Sequence, residues 1–429
     1  TMHTSGILQE LDWRGLFADC TDRAALERRL TEGPTALYCG FDPTSDSLHV
    51  GNLVPLFTLR RFQLHGHKPI ALAGGATGMI GDPSGKSDER NLLTPEQINI
   101  HLDAIKPQLA KFLDFETKTN PAIMVNNLDW TKDVSVLEFL RDVGKYITVN
   151  SMVAKDSVRA RMEDRASGIS YAEFSYQLLQ GYDFSYLKQH FNCDLQIGAT
   201  DQWGNITVGT ELTRKKYGAT VWGLVLPLLV KADGTKYGKT ASGAVWLDPK
   251  KTSPYRFYQF FVNADDSDVV KLLKMLTFLP QDTIDDLTQK VASQPEQREA
   301  QKVLAREMTT LVHGASAMDG ALAASAILFG GSLADVTEDI FNDVVGEIPT
   351  ATFSRGTLEA GAPIVDLVVA AGLAKSKSDA RRSVESGGVY VNNVRVDGVA
   401  RTVTASDLLF GQYLLLRMGK RSYAVLKVG

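Results

Sequence analysis

The sequence predicts an α/β protein with a doubly wound parallel sheet, followed by an α-helical domain and a small C-terminal α+β domain. Three observations lead to this prediction. Short apolar runs alternate with amphipathic helical segments over the first half of the chain. From about residue 253 to 328 nearly every segment is helical and strand signals vanish. Beyond Pro363, two short helices precede a Val-rich hairpin pattern around Asn392-Asn393.

The first βαβ unit lies near the N-terminus. Residues 37–41 form an apolar run typical of a buried strand, and Gly51 opens an amphipathic helix that ends at Gly66. Residues 70–75 give the second strand, and a glycine-rich passage over residues 74–86 follows it. Open α/β sheets bind ligands at the carboxyl ends of their strands, so this passage is a candidate binding loop, although a surface loop has the same composition.

Later strands complete the predicted sheet. Residues 122–125, 195–198 and 224–229 are apolar runs, and a largely helical segment over about residues 126–190 separates the first two of them. We therefore expect a catalytic or binding domain over residues 1–247 in which this segment is a helical insertion between two halves of the sheet.

The remaining chain divides by composition. We expect a helical domain over residues 248–330 and a small domain over residues 357–429. Between them, residues 331–356 are rich in Asp and Glu and hold few large apolar side chains, which predicts a linker.

Composition bounds the class of protein. The 429 residues are 44% hydrophobic and carry a formal net charge of −4, and no stretch approaches eighteen consecutive apolar residues, so we expect no membrane contact. Cys20, Cys39 and Cys193 show no CxxC spacing, which argues against disulfides and against a structural metal, so we expect a protein of the reducing cytoplasm. Residues 355–429 hold eleven Lys and Arg against six Asp and Glu, a net +5 that leaves −9 on residues 1–354. A basic tail of this kind could face nucleic acid.

Two short motifs gain meaning together. His49-Val50-Gly51-Asn52 stands at a helix start, where backbone N–H groups favour phosphate, but a lone His there is usually structural or solvated. Lys236-Tyr237-Gly238-Lys239-Thr240 follows the fifth strand and carries two cations and a hydroxyl, although an ordinary solvated loop reads the same way. At the ends of nearby strands, both could converge on one triphosphate.

These motifs resemble the HIGH and KMSKS signatures of class I aminoacyl-tRNA synthetases. Over essentially its full length the chain resembles bacterial-type tyrosyl-tRNA synthetases, which implies a Rossmann-like nucleotide-binding domain. The stretches that carry the resemblance are residues 38–52, 74–86, 174–183, 196–205 and 232–240.

The resemblance implies a tyrosine site. Tyr38 and Asp183 would hydrogen-bond the phenolic hydroxyl of the substrate. The residues that would hold its ammonium group are Tyr176, Gln180, Asp82 and Gln202. Positions 176, 180 and 183 share one helix face by their spacing, as a solvated polar stripe also would.

It also implies an ATP site, with Mg²⁺ accompanying the nucleotide and no metal site in the protein. The residues expected around the ribose, phosphates and adenine are Gly40, Asp42, Thr44, His49, Gly51, Asn52, Asp201, Leu228 and Leu229. The cations and hydroxyl expected at the leaving pyrophosphate are Lys86, Arg90, Lys236, Lys239 and Thr240. Asn52 departs from the family signature, which ends in His, and its amide cannot become cationic.

Partners follow from the same resemblance. They are L-tyrosine, ATP, the tyrosine tRNA and a second copy of the chain, which would contact residues 126–190. The C-terminal segment resembles a small RNA-binding module of a ribosomal protein and of pseudouridine synthases, in which Lys377, Arg381 and Arg382 would bind RNA phosphates. A tryptophanyl-tRNA synthetase and a non-catalytic RNA-binding protein derived from a synthetase are the alternatives. The paired hydroxyl partners Tyr38 and Asp183 disfavour the first, and the retained His49, Lys236 and Lys239 disfavour the second.

Overall fold

A computed structural model describes residues 6–86, 91–163, 168–241 and 243–429 of the protein. The chain divides into two units. The first comprises Thr1–Asp248 and Ala264–Ala300, and the second comprises Pro249–Asn263 and Gln301–Gly429. Among the described residues, no helix has the length and apolar character needed to cross a bilayer.

The described elements are numbered in chain order. The strands are β1 (Asp19–Cys20), β2 (Ala36–Phe41), β3 (Lys68–Ala73), β4 (Ile123–Asn126), β5 (Cys193–Ala199), β6 (Trp222–Leu226), β7 (Lys239–Thr240), β8 (Gly243–Ala244), β9 (Thr350–Phe353), β10 (Ala362–Pro363), β11 (Val389–Val391), β12 (Val394–Arg395), β13 (Thr402–Val403), β14 (Tyr413–Met418) and β15 (Ser422–Val428). The α-helices are α1 (Ile7–Trp13), α2 (Arg23–Glu32), α3 (Leu53–Leu64), α4 (Pro95–Phe112), α5 (Leu128–Thr131), α6 (Val136–Asp142), α7 (Val149–Val153), α8 (Asp156–Glu163), α9 (Tyr171–Phe191), α10 (Trp203–Tyr217), α11 (Pro254–Val262), α12 (Asp266–Leu276), α13 (Gln281–Ser293), α14 (Glu299–His313), α15 (Ala315–Leu328), α16 (Glu338–Val345), α17 (Arg355–Glu359), α18 (Ile364–Ala370) and α19 (Lys377–Glu385).

The first unit is built on a six-stranded sheet in the order β1-β6-β5-β2-β3-β4. All neighbouring strands are parallel except the short edge pair β1 and β6. β3 and β5 are buried almost throughout, which is why they read as continuous apolar runs rather than as alternating patterns. The doubly wound parallel sheet predicted from the sequence is confirmed.

Strand order reverses between β2 and β5, and this reversal positions the site. The chain proceeds through β2, β3 and β4 on one side and through β5 and β6 on the other. Tyr38 of β2 stands beside Gln196 of β5 across this line. Helices on opposite faces diverge at such a point, which leaves a crevice beyond the strand ends.

One strand is shorter than predicted. The fifth apolar run was expected to extend to Leu229, whereas β6 ends at Leu226. Pro227 has no N–H to donate to the neighbouring strand, so the ladder stops there. Leu228 and Leu229 consequently belong to the loop beyond the strand end.

The helical insertion is confirmed, with α5 to α9 lying between β4 and β5 among the described residues. Its longest member, α9, packs against α10 at very short range. A Cβ on Gly181 would lie 2.7 Å from Val208 Cγ1, and one on Gly209 would lie 2.8 Å from Phe184. Glycine at both crossing points lets the two backbones approach, which holds the face of α9 that bears residues 176, 180 and 183 against the strand ends.

The second unit contains a five-stranded sheet in the order β12-β11-β14-β15-β9. Leu414 and Leu416 of β14 pack on one face with α18 and α19, whereas Leu415 packs on the other face with α15 and α16. The predicted hairpin is confirmed. Its turn residues Asn392 and Asn393 have φ of 50° and 61°, as a two-residue type I′ turn requires.

Residues 331–356, predicted from composition to be a linker, contain α16 and β9. Phe341 and Val344 of α16 are fully buried, and β9 pairs in parallel with β15. The segment holds few large apolar residues, but they are concentrated on one helix face and one short edge strand. Composition averaged over the segment therefore hides the packing. Within residues 248–330, the helices divide between the two units, since α12 and α13 belong to the first and α11 and α15 to the second.

Candidate functional site

A cavity of about 330 Å³ opens at the carboxyl ends of β2 and β5 in the first unit. It gathers most of the predicted site residues, which come from five separate stretches of chain. Those that line it are Tyr38, Gly40, Asp42, Thr44, His49, Gly51, Asn52, Asp82, Lys86, Tyr176, Gln180, Asp183, Asp201, Gln202, Leu228, Leu229 and Lys236. Lys239 and Thr240 do not line it, and Arg90 lies outside the described residues. Lys377, Arg381 and Arg382 lie on the exposed face of α19 in the second unit.

Tyr38 forms the floor of the cavity. Its side chain is 1% exposed and its ring meets Phe184 edge-on at 5.4 Å. Among the described residues its hydroxyl has no hydrogen-bond partner. Burial, and then the nearby Asp183, raise the pKa of this phenol well above its usual value, so the hydroxyl is a neutral donor. A buried hydroxyl without a partner costs free energy, which a ligand group could recover.

Asp183 lies beside Tyr38 and is 3% exposed. Its Oδ2 accepts a hydrogen bond from Asn127 Nδ2 at 3.0 Å, and its Oδ1 accepts one from Trp130 Nε1 at 2.9 Å. Burial raises the pKa of this carboxyl to about 7, while the two donors act in the opposite direction. The carboxyl therefore has a fixed orientation and titrates near neutral pH.

Asn127 and Trp130 were missed by the sequence reasoning. Asn127 Oδ1 accepts from the Ala76 amide at 2.8 Å, which fixes its Nδ2 toward Asp183 and toward Thr77 Oγ1 at 3.1 Å. Asn126 and Asn127 form a polar pair at the carboxyl end of β4, and polar residues at strand ends are a signal for ligand sites in such sheets. Trp130, on the short helix after it, carries no comparable signal.

A second carboxylate joins the two halves of the predicted site. Asp42 follows β2, and its Oδ2 accepts a hydrogen bond from the Tyr176 hydroxyl at 2.6 Å while its Oδ1 accepts from Thr77 Oγ1 at 2.7 Å. Burial raises the pKa of Tyr176 well above its usual value, and Asp42 and Asp82 add to the shift. Hydrogen bonds thus run without a break from Tyr176 through Asp42, Thr77 and Asn127 to Asp183.

A third carboxylate, Asp82, lies on the glycine-rich loop. It accepts from Gln202 Nε2 at 2.7 Å and from Asn205 Nδ2 at 3.3 Å. Burial raises the pKa of the neighbouring Asp201, Asp82 adds to the rise, and Lys236 and Lys86 oppose it. Asp42 and Asp82 make this part of the cavity negatively charged, which suits a substrate ammonium group.

The His49 motif forms a 3₁₀ turn over Val50–Asn52 ahead of α3. His49 Nδ1 accepts the Gly51 amide at 3.0 Å, and Asn52 Oδ1 accepts the His49 amide at 3.0 Å. Burial lowers the pKa of His49, and Lys239 and Lys86 lower it further, so the ring is neutral at pH 7. Because Nδ1 is an acceptor, the neutral ring carries its hydrogen on Nε2. The role of Asn52 as a cap explains how an amide serves at this position.

The second motif lies in a segment that we call the lysine loop, residues 230–240. An antiparallel bridge joins Val230 to Lys236, and β7 pairs with β8 just beyond. Lys236, Lys239 and Thr240 are exposed. The loop reaches the His49 motif through the backbone, since the Val245 amide donates to Gly238 O at 2.9 Å and the Val50 amide donates to Val245 O at 3.0 Å.

Comparisons with known proteins show the family to which the chain is similar. Residues 30–330 match the family model for class I tRNA synthetases (W and Y), and residues 340–426 match that of the tyrosine–tRNA ligase SYY-like C-terminal domain. The chain is 63% identical to the tyrosine–tRNA ligase of Opitutus terrae, over 98% of this chain and 99% of that protein. It is 54% identical to that of Roseiflexus castenholzii over the same shares. A C-terminally truncated mitochondrial tyrosyl-tRNA synthetase from Aspergillus nidulans aligns with a TM-score of 0.68 and 32% identity, covering 75% of this chain and 94% of that one.

Proposed function

The chain belongs to the class I tRNA synthetases for tryptophan and tyrosine, and on that premise we propose that it is a tyrosine–tRNA ligase. It activates L-tyrosine with ATP to give tyrosyl-adenylate and pyrophosphate. It then transfers the tyrosyl group to the terminal ribose of its tRNA.

The observation that carries the choice of amino acid is the buried pair Tyr38 and Asp183. A phenol hydroxyl placed between them accepts from Tyr38 and donates to Asp183, which satisfies the Tyr38 hydroxyl. Phenylalanine would leave the Tyr38 hydroxyl without a partner and would bring no donor to Asp183. Tyrosyl-tRNA synthetases are themselves the standard example of this effect, with a rejection of phenylalanine of about 10⁵.

The first step needs no side chain as base or nucleophile, because the tyrosine carboxylate is already ionised when it attacks the α-phosphate of ATP. The bond from that phosphorus to the bridging oxygen breaks and pyrophosphate leaves. Catalysis therefore rests on positioning and on meeting the charge of the leaving group. His49 contributes an Nε2–H donor, and Lys86, Arg90, Lys236, Lys239 and Thr240 contribute cations and a hydroxyl. Thr44 and Asn52 complete the phosphate contacts.

The nucleotide lies along the outer part of the cavity in this proposal. Gly40 and Gly51 let it approach the backbone, and a Cβ on Gly51 would lie 2.8 Å from His49 Cε1. Asp42 and Asp201 face the ribose side, while Leu228 and Leu229 border the adenine. Mg²⁺ enters as the counter-ion of ATP and is held by phosphate oxygens. Among the described residues no group of three His, Cys, Asp or Glu side chains is arranged to bind a metal ion.

We also propose that the enzyme is a homodimer. The insertion exposes large apolar side chains close together in sequence, which an interface would cover. Val136 is 75% exposed, Leu137 78%, Leu140 49% and Val149 62%. Sedimentation of Leu137→Asp tests this, since a monomer is expected from the variant and a dimer from the unaltered chain. An unaltered chain that sediments as a monomer would contradict it.

The C-terminal unit would bind the tRNA through α19. Lys377, Arg381 and Arg382 are exposed there. Lys377 pairs with Asp366 at 2.9 Å and Arg382 with Asp379 at 3.9 Å, and both pairs lie at the surface. Such pairs contribute little and exchange readily for phosphate contacts. A cytoplasmic location fits the three free cysteines Cys20, Cys39 and Cys193.

Amino-acid-dependent ATP–pyrophosphate exchange tests the proposed function. We expect exchange with tyrosine and none above background with tryptophan or phenylalanine. Exchange supported by tryptophan alone would identify the other branch of the family. Binding of tRNA without exchange by any amino acid would indicate a non-catalytic RNA-binding protein.

A further inference from the structure

Helix α12 lies outside both sequence motifs, yet two of its side chains hydrogen-bond to the backbone of the lysine loop. Asp268 Oδ1 accepts a hydrogen bond from the Ala232 amide at 2.7 Å, and Lys271 Nζ donates to Val230 O at 2.8 Å. Asp268 is only 5% exposed. The two side chains stand three residues apart, on one face of the helix, so they hold two neighbouring points of the loop.

The points they hold determine where the loop cations lie. Val230 is bridged to Lys236, and the Tyr237 amide donates to Leu229 O at 2.9 Å. The turn between is closed by the Lys231 amide, which donates to Thr235 O at 2.8 Å. A shift of Val230 or Ala232 therefore carries Lys236 with it, and Lys239 follows three residues later.

The opposite end of α12 is fixed as well. Arg14 donates to the carbonyls of Lys274, Thr277 and Leu279 at 2.8 to 3.1 Å, and Arg61 donates to that of Thr277 at 2.6 Å. Both guanidinium groups are at most 3% exposed. Cations at a helix C-terminus satisfy its last carbonyls and match its dipole, so α12 is a fixed support rather than a surface helix.

We propose that Asp268 and Lys271 are positioning residues for the pyrophosphate-facing lysine loop, an inference that rests on the proposed function. Neither side chain touches the nucleotide. They act through the backbone of residues 230–232, which sets where Lys236 and Lys239 stand when charge builds on the leaving group. A purely structural role, in which the acidic residue supports the first turn of α12, would alter stability without altering the ATP dependence of catalysis.

Three variants separate these roles in pyrophosphate exchange by the full-length enzyme. Asp268→Ala and Lys271→Met each remove one hydrogen bond to the lysine loop. Lys274→Met is the matched control, one turn further along the same helix. We expect kcat/KM for ATP to fall about tenfold in the first two, because small displacements of catalytic groups are costly, with KM for tyrosine within twofold of wild type. Lys274→Met should match wild type. Asp268→Asn retains an acceptor oxygen and should recover most of the loss.

A combined substitution shows whether the effect passes through the loop cations. In a Lys236→Ala, Lys239→Ala background, Lys271→Met should cost less than twofold, since both groups that it positions are gone. Wild-type ATP dependence in both Asp268→Ala and Lys271→Met would overturn the inference, as would an undiminished effect of Lys271→Met in the background that lacks both cations. Exchange by the wild-type enzyme with tyrosine is measured alongside. Its absence would overturn the proposed function, whereas its presence with unaffected variants overturns only the positioning role.

Discussion

The two ends of the cavity are built in different ways. At the inner end, Tyr38 and Asp183 are at most 3% exposed, and a continuous set of hydrogen bonds from Asn127, Trp130 and Thr77 holds the carboxylates in place. At the outer end, Lys86 and Lys236 line the cavity and are exposed to solvent, and Lys239 is exposed on the short strand β7 outside it. The contrast matches two tasks. In the proposed function, a buried pocket can reject a substrate that lacks one hydroxyl, because the Tyr38 hydroxyl is then left without a partner. Solvated cations can meet a charge that exists only while pyrophosphate leaves.

The largest loss of activity is expected when the carboxylate of Asp183 is removed from the inner end. In the proposed function, Asp183→Ala would delete the partner of the substrate hydroxyl. It also removes the acceptor of Trp130 Nε1 and one of the two acceptors of Asn127 Nδ2. Buried unpaired groups cost about 1–3 kcal/mol each, so kcat/KM for tyrosine is expected to fall by about 10²–10³. Pyrophosphate exchange at varied tyrosine measures this. Asp133→Ala, an exposed Asp between α5 and α6, should behave as wild type, and a comparable loss there would show that the assay reports general damage.

Removal of a cation from the outer end should lower kcat and should leave the KM for tyrosine unchanged. If Lys239 meets charge in the transition state, as the proposed function requires, its contact is worth about 1.5–3 kcal/mol, so kcat of Lys239→Ala should fall about 10- to 100-fold with KM for tyrosine unchanged. Steady-state exchange separates the two constants. Lys231→Ala, at the start of the same loop, is the control and should retain kcat. A rise in the KM for tyrosine of Lys239→Ala with kcat unchanged would contradict the assignment of tyrosine binding to the inner end and of rate to the outer end.

A smaller change tests selectivity at the inner end. Tyr38→Phe removes a buried hydroxyl without a partner and, in the proposed function, one hydrogen bond to the substrate. Discrimination against phenylalanine should fall about tenfold, while the free energy of unfolding rises by up to about 1 kcal/mol. Exchange with each amino acid and urea unfolding measure the two effects. Tyr171→Phe, at a side chain 74% exposed, should change neither quantity. Selectivity that survives Tyr38→Phe would remove this hydroxyl from substrate recognition.

The smallest effect is on pH dependence. Burial raises the pKa of Asp183 to about 7 from its usual 3.8, so the folded state binds a proton that the unfolded state has released between these values. This group therefore stabilises the fold at low pH, and the contribution is lost as pH rises toward 7, by at most about 2 kcal/mol between pH 5.5 and 8. Urea midpoints of wild type and Asp183→Asn at both pH values test the sign. Stability should decline less between pH 5.5 and 8 in Asp183→Asn than in wild type. An identical decline in both proteins would show that other groups cause it.

The sequence predicts the residues at the two ends of the cavity to different extents. The strand–turn–helix order around His49 and the composition of the lysine loop are local, so the motifs and the parallel sheet were predictable. Thr77, Asn127 and Trp130 were not, because their roles depend on β3 and β4 bringing distant stretches together. The packing of α16 and β9 was hidden for a related reason, since a few apolar residues at helical spacing vanish in an averaged composition. The grip of Asp268 and Lys271 on the lysine loop joins residues more than thirty positions apart and leaves no local pattern.

Equilibrium binding of tyrosine in the absence of ATP, measured beside exchange, tests the division between the two ends most directly. Asp183→Ala should lose tyrosine binding by at least about a hundredfold, whereas Lys239→Ala should bind tyrosine as wild type does while its exchange rate falls. Undiminished tyrosine binding by Asp183→Ala, or loss of that binding in Lys239→Ala, would contradict the account.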